Sequence, residues 1–193
     1  MKIQLSTLQH FAKCRDVLLV GWMMGMGVVQ GQELVADPLL AATVRLYGQP
    51  VISANPYLLN STSNPYGPWG AKEFLYSFNN DVGPLGSPEF LNSVSNEVGT
   101  GQRIRFSEET LAQVPGLKAV VELYGDPLIS ANPYLLNSTS NPNGPWGSPD
   151  FVYSFNNDSG PLGSPEFLNS VSNECGTGLK VELAEPVLNL EAP

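Results

Sequence analysis

Apolar positions return along this chain at two nested intervals. The longer interval is 77 residues. Residues 46–101 match residues 123–178 at 47 of 56 positions. LYGQPVISANPYLLNSTSNP is answered by LYGDPLISANPYLLNSTSNP, and NNDVGPLGSPEFLNSVSNE by NNDSGPLGSPEFLNSVSNE. The match extends faintly upstream, with Leu34 aligned to Leu111 and Pro38 to Pro115, and Val181–Leu190 resembles the opening of a third copy. The shorter interval is 16 residues. Leu58, Phe74 and Phe90 form an apolar column, followed by columns of Leu59, Leu75 and Leu91, of Ser61, Ser77 and Ser93, of Asn64, Asn80 and Asn96, and of Gly67, Gly83 and Gly99. The second half repeats them with Leu135, Phe151, Phe167 and with Asn141, Asn157, Asn173. A fixed period with fixed apolar positions predicts units that stack, each covering its neighbour.

Two shapes fit one 16-residue unit. In the first, Ser87 caps a short helical turn, Pro88 takes its first position and Glu89 meets the positive end. Asn55-Pro56 and Ser164-Pro165 offer the same start. In the second, the unit is one coil of a β-solenoid with stacked Asn and Phe ladders. Stacking at about 4.8 Å sets Glu73 over Glu89 and Asp81 over Glu97, which repel. Pro84 and Pro88 also lack ladder donors. The first shape is therefore preferred. Thr43–Tyr47 and Val120–Tyr124 alternate as strands do. Val51–Ser53 and Leu128–Ser130 follow a Gly-containing turn, as in a hairpin. Arg103–Phe106 and Lys180–Leu183 alternate too. The expected fold class is a mostly β and irregular tandem-repeat protein of two modules, each a small antiparallel sheet with packed 16-residue Gly/Pro-rich units containing short helical turns. A β-solenoid is the alternative.

The N-terminus adds an expectation about location. Lys2, Lys13 and Arg15 precede Val17–Val29, which carries no charge, and cleavage after Gly31 fits a secretory signal peptide. The run is shorter than the roughly 20 apolar residues of a membrane span. Cys14 lies before it, where a lipoprotein cysteine does not. The expected organisation is a signal peptide at 1–31, repeat modules at 32–106 and 107–183, and a tail at 184–193. That places the mature protein outside the cell or in a periplasm, with no membrane span after cleavage.

SANPYLLNSTSNPYGPWG, followed by NNDVGPLGSPEFLNSVSNEVGTG, resembles a family of uncharacterised bacterial proteins with 16-residue repeats of the type N-P-Y-G-x-Y-G-S-x-Y-S-x-x-S-x-x-N. The resemblance covers residues 46–104 and 123–181. It implies a repeat architecture and no established activity. The family's tyrosine positions hold Trp69, Leu85 and Phe90 here, so a role for tyrosine hydroxyls does not carry over.

Composition narrows the chemistry. Nine basic residues stand against eighteen acidic ones, for a net charge of −9. A nucleic-acid binder needs a clustered basic patch, which the sequence lacks. The only histidine, His10, lies in the expected signal, so neither a Ser-His-Asp triad nor a His-based zinc site can be assembled downstream. Glu73, Glu89, Asp150 and Glu166 are candidates for a carboxylate-dependent hydrolase, but their spacing follows the repeat, as helix starts would. Asn79-Asn80-Asp81 and Asn156-Asn157-Asp158 are oxygen-rich loops, which makes Asp81, Asp158, Glu97 and Glu174 candidate calcium ligands. Turn formation explains the same residues. Trp69, Trp146, Tyr57 and Tyr134 are candidates for stacking on a sugar, with core packing the competing use of each tryptophan. Cys175, which stands where Val98 does in the first half, is read as a small buried hydrophobe. The expected function is a non-catalytic secreted or periplasmic repeat protein acting in binding or structure. Its partner is a glycan, a cell-surface component or a second copy of itself. A calcium-stabilised structural protein is the alternative.

Overall fold

The computed structural model describes residues 37–184. The expected signal peptide and nearly all of the expected tail lie outside the described residues. The elements run α1 (Pro38–Tyr47), β1 (Val51–Ile52), β2 (Gln102–Phe106), α2 (Glu108–Gln113), α3 (Leu117–Tyr124), β3 (Leu128–Ile129) and β4 (Leu179–Leu183). The described chain is mostly non-helical, and its strands make one curled, four-stranded antiparallel sheet, a half-barrel.

The Thr43–Tyr47 and Val120–Tyr124 segments are helical, not extended. Asp37 caps α1 by accepting from the backbone N–H of Leu39 and Leu40 at 3.0 and 3.3 Å, and Pro38 takes the first helical position. Leu40 and Val44, four residues apart, pack on the core from the same face. Gly48 and Gly125 end α1 and α3 at φ 83° and 80°, a conformation that disfavours any side chain. The short apolar stretches before these glycines are last helical turns.

The separate sheets expected for each module are replaced by one sheet of order β1-β4-β2-β3. Val51 opposes Lys180, and Arg103 opposes Leu128. The central pair β2–β4 sets Arg105 against Glu182 on the outer face. Ile104, Phe106, Leu179 and Val181 alternate inward and are buried. Two further bonds follow the same exchange. Ala54 N–H donates to Val171 O at 2.6 Å, and Ala131 N–H to Val94 O at 2.7 Å. Asn55 Nδ2 reaches Gly176 O, and Asn132 Nδ2 reaches Gly99 O, each at 2.8 Å.

Between β1 and β2, and again between β3 and β4, the backbone runs as linked turns. Ser61 N–H donates to Leu58 O, Asn64 to Ser61, Gly67 to Asn64 and Gly70 to Gly67. The rhythm resumes from Phe74 through Ser77, Asn80 and Gly83. Each turn begins on the residue where the last one closed, and none lengthens into a helix. Ser87, Pro88 and Glu89 make one such turn, closed from Phe90 to Ser87 O, in place of the expected short helix. Gly, Pro, Asn and Ser each favour turn geometry over a second helical turn.

Such a backbone leaves polar groups that no ladder satisfies, and buried side chains take them. Ser61, Ser77 and Ser93 are fully buried, and their hydroxyls donate to the carbonyls of Ser53, Trp69 and Leu85 at 3.0, 3.2 and 2.9 Å. Asn64, Asn80 and Asn96 each accept from the N–H two residues on and donate back to Leu58, Phe74 and Pro88 carbonyls. Gly67, Gly83 and Gly99 follow because the Leu59, Leu75 and Leu91 carbonyls lie 2.4, 2.2 and 2.1 Å from where a Cβ would stand. Ser138, Ser154 and Ser170 make the corresponding bonds in the second half. The interior is thus a polar spine flanked by two apolar clusters. One holds Trp69, Tyr76, Phe78 and Leu85; the other holds Trp146, Phe155, Leu162 and the inward side chains of β2 and β4. Ile52, Ile129 and Leu183 pack against both.

Candidate functional site

Both tryptophans are withdrawn from any ligand. Trp69 and Trp146 are fully buried, and their indole N–H groups donate to Gly48 O and Gly125 O at 3.1 and 3.2 Å. A ring this size, with a backbone carbonyl in reach, contributes more as core than as surface. Tyr57 and Tyr134 are the reverse, each 89% exposed at the entrance to a run of turns.

The four acids expected to hold calcium, Asp81, Glu97, Asp158 and Glu174, sit on exposed turns. Among the described residues no three Asp, Glu, His or Cys side chains cluster to hold a metal. The neighbouring amides have structural duties. Asn79 Nδ2 donates to Thr62 O and Gly70 O, each at 2.9 Å, and Asn156 Nδ2 to Thr139 O and Gly147 O. Asn79 thereby ties one unit to the unit before it. Glu73, Glu89, Asp150 and Glu166 are likewise exposed. Cys175 is exposed and free, not the buried hydrophobe expected, because its column (Val98 in the first half, 81% exposed) faces solvent.

The structure gathers a different set. The C-terminal Tyr124 of α3 meets Phe151 edge-on, with ring centroids 5.6 Å apart and planes at 83°. Leu136, Pro145 and Gly144 continue this apolar wall, while Asn143, Ser148 and Asp150 supply polar groups. Together they line an open groove of about 410 Å³. Asn137 Nδ2 donates to Tyr124 O at 2.8 Å and to Asp126 O at 3.1 Å, fixing the end of α3 over the groove wall. Asp150 N–H donates to Ser148 Oγ at 3.2 Å, which sets the Asp150 turn. The first half holds an equivalent edge-on pair, Tyr47 and Phe74, at 5.8 Å and 89°. There Tyr66, Ala71 and Glu73 stand in place of Asn143, Ser148 and Asp150. Sequence reasoning passed over Tyr124, Leu136 and Asn143. The available signal was a tyrosine directly before a glycine, 27 residues ahead of a phenylalanine column, in both halves.

A smaller concavity of about 230 Å³ lies between Arg105, Phe106, Leu111, Val121 and Asp126. Arg105 Nε sits 3.5 Å from the Asp126 carboxylate there, so that its charges are already paired. Two titrating groups are displaced from their ordinary values. Burial, and then the bond to the Asp37 carboxylate, push the Tyr76 phenol upward. The Lys180 ammonium, bonded at 2.7 Å, holds the Glu109 carboxyl below its usual range. Both link elements across the fold, and neither lines the groove. No helix among the described residues is long and apolar enough to cross a membrane.

No protein-family model matches the chain, and neither does any curated protein or solved structure.

Proposed function

We propose that this chain is a non-catalytic, secreted or periplasmic repeat protein of two tandem modules that binds carbohydrate at a cell surface. The observation that carries the reading is the groove at Tyr124 and Phe151. Two aromatic rings meet there edge-on beside an amide, a hydroxyl and a carboxylate. Pyranose rings offer flat C–H faces to such rings and hydroxyls to such polar groups, the usual division between orienting and stacking contacts in a small-molecule site. The tandem reading rests on the 77-residue identity and on bonds that recur at the same offset, such as Ser77 to Trp69 O and Ser154 to Trp146 O. Export is supported by the charge-free run at 17–29 after a basic leader. The Tyr47–Phe74 pair offers a second, chemically altered position on the same molecule, and two linked positions raise apparent affinity for a repetitive polymer.

The test is affinity electrophoresis of the protein through gels containing a panel of bacterial and plant polysaccharides. Retardation by at least one polymer is expected, and Phe151→Ala should abolish most of it while Tyr57→Ala does not. Unretarded migration in every gel, or retardation indifferent to Phe151→Ala, removes the carbohydrate reading.

A further inference from the structure

The two halves differ at nine of the 56 aligned positions, and the differences are not scattered. Three fall in one 16-residue column. Tyr66, Val82 and Val98 in the first half correspond to Asn143, Ser159 and Cys175 in the second. Every one of these exchanges replaces a large apolar side chain by a smaller or more polar one. The backbone at these positions is the same in both halves. Tyr66, Val82 and Val98 N–H groups donate to Asn64, Asn80 and Asn96 Oδ1 at 2.9–3.0 Å, and Asn143, Ser159 and Cys175 do so to Asn141, Asn157 and Asn173 at 2.9 Å. Folding therefore does not require the apolar set.

These three side chains have neighbours of the same kind. The carbonyls of Leu59, Leu75 and Leu91 press on the glycines that follow Tyr66, Val82 and Val98. Each leucine thus lies on the same corner as the residue seven positions on. The six exposures are 69, 48 and 67% for the leucines and 90, 82 and 81% for Tyr66, Val82 and Val98. The Asn79 bridge to Thr62 O sets successive units side by side, so the corners line up as a ladder. The ladder exposes on the order of 900 Å², against the 300–600 Å² of the largest apolar patch on a typical monomer. It also equals the ~800 Å² that each partner contributes to a standard stable interface.

We infer that the first-half ladder is a dimer face, covered by the same ladder of a second copy of this chain. A two-fold interface needs a patch complementary to itself, and an apolar ladder facing its own image meets that condition. The second half presents the polar version of the corner, so that each chain carries one such face and assembly closes at two. Asp81 and Glu97 directly precede Val82 and Val98. These carboxylates border the face, and their repulsion across it makes the dimer tighten as salt screens them. The groove at Tyr124 and Phe151 stays on the other half, so the inference does not depend on the carbohydrate reading.

The test is sedimentation of the full chain, with reductant present to keep thiols apart, over a concentration series. Wild type should approach twice the monomer mass, more completely at high salt. The triple variant Tyr66→Asn, Val82→Ser, Val98→Cys carries residues that the chain's own second half holds in the same backbone setting. It should keep its circular dichroism and raise the dissociation constant at least about 100-fold. The converse variant, Asn143→Tyr, Ser159→Val, Cys175→Val, gives each chain two faces and should grow past the dimer. A wild-type chain that stays monomeric throughout overturns the inference. So does a dimer untouched by the first triple variant, whether or not polysaccharide binding persists.

Discussion

Replacing Asn80 by aspartate exchanges one NH₂ group for an oxygen and reverses one hydrogen bond. Asn80 is 6% exposed; its Oδ1 accepts from Val82 N–H at 3.0 Å and its Nδ2 donates to Phe74 O at 2.9 Å. A carboxylate keeps the first bond and turns an oxygen toward the Phe74 carbonyl in place of the second. A protonated carboxyl can still donate there. The folded state therefore favours the protonated form, and burial in the same direction lifts the variant's carboxyl by about 2–3 units. At 1.36 kcal/mol per unit, that is about 3–4 kcal/mol between the fully protonated and fully ionised limits. The sign follows from proton binding. Where the folded state holds more protons than the unfolded one, stability falls as pH rises. It is greatest below the unfolded carboxyl's value near 3.9 and declines through the raised folded value. About 2 kcal/mol of the loss should develop between pH 5 and pH 8, a window clear of the isoelectric point near 4.4. Urea unfolding followed by the fluorescence of buried Trp69 and Trp146 measures it, with Asn80→Ala as the control that loses about 2 kcal/mol at either pH. An aspartate variant whose deficit from wild type is the same at pH 5 and pH 8 would refute the buried amide clamp as the reason for the asparagine column.

Gly83→Ala sets a Cβ 2.2 Å from the Leu75 carbonyl. Backbone cannot yield cheaply, and a loss of about 3 kcal/mol or more in urea unfolding is expected. Tyr76→Phe should flatten the alkaline limb of thermal stability. The raised phenol of wild type contributes stability that is present below its ordinary value near 10 and lost as pH climbs through the folded value. Identical melting curves for both proteins above pH 10 would contradict this. Lys180→Met should return the Glu109 carboxyl toward its ordinary range in a carboxyl NMR titration. The pair's contribution exists above the unfolded value and fades as pH falls through the lowered folded one. Exposure of both partners keeps the effect on melting temperature small.

Periodicity made the interior legible, and topology escaped it. The Ser and Asn columns were visible as repeats, and their 16-residue spacing identified the groups that now satisfy the turn backbone. Their chemistry was harder to read, since buried polar columns look like surface polarity until the missing ladder is known. Thr43–Tyr47 and Val120–Tyr124 misled because β-branched residues alternate there. The decisive signs, Asp37 before Pro38 and the spacing of Leu40 and Val44, lay upstream. Strand partners could not be read at all. Leu128–Ser130 nearly copies Val51–Ser53, so the sequence alone is silent on whether β1 joins the strand of its own half or the other's. Cys175 and Trp146 exchanged expected places, outside and inside, because solvent exposure is set by which turn corner a column occupies. The groove needed α3 to be a helix before Tyr124 and Phe151 could meet.

The crossed pairing of β1 with β4 and β3 with β2 has a consequence for how this chain comes to be. Neither half owns the strand that borders its first run of turns. During synthesis, residues 37–106 wait with β1 and β2 unmatched until Leu179–Leu183 has left the ribosome. A gene encoding one copy faces the same vacancy permanently, and its product fills it by trading strands with a second molecule. The present chain is, in that light, a pair of such molecules fused end to end, with the encounter between them made unimolecular.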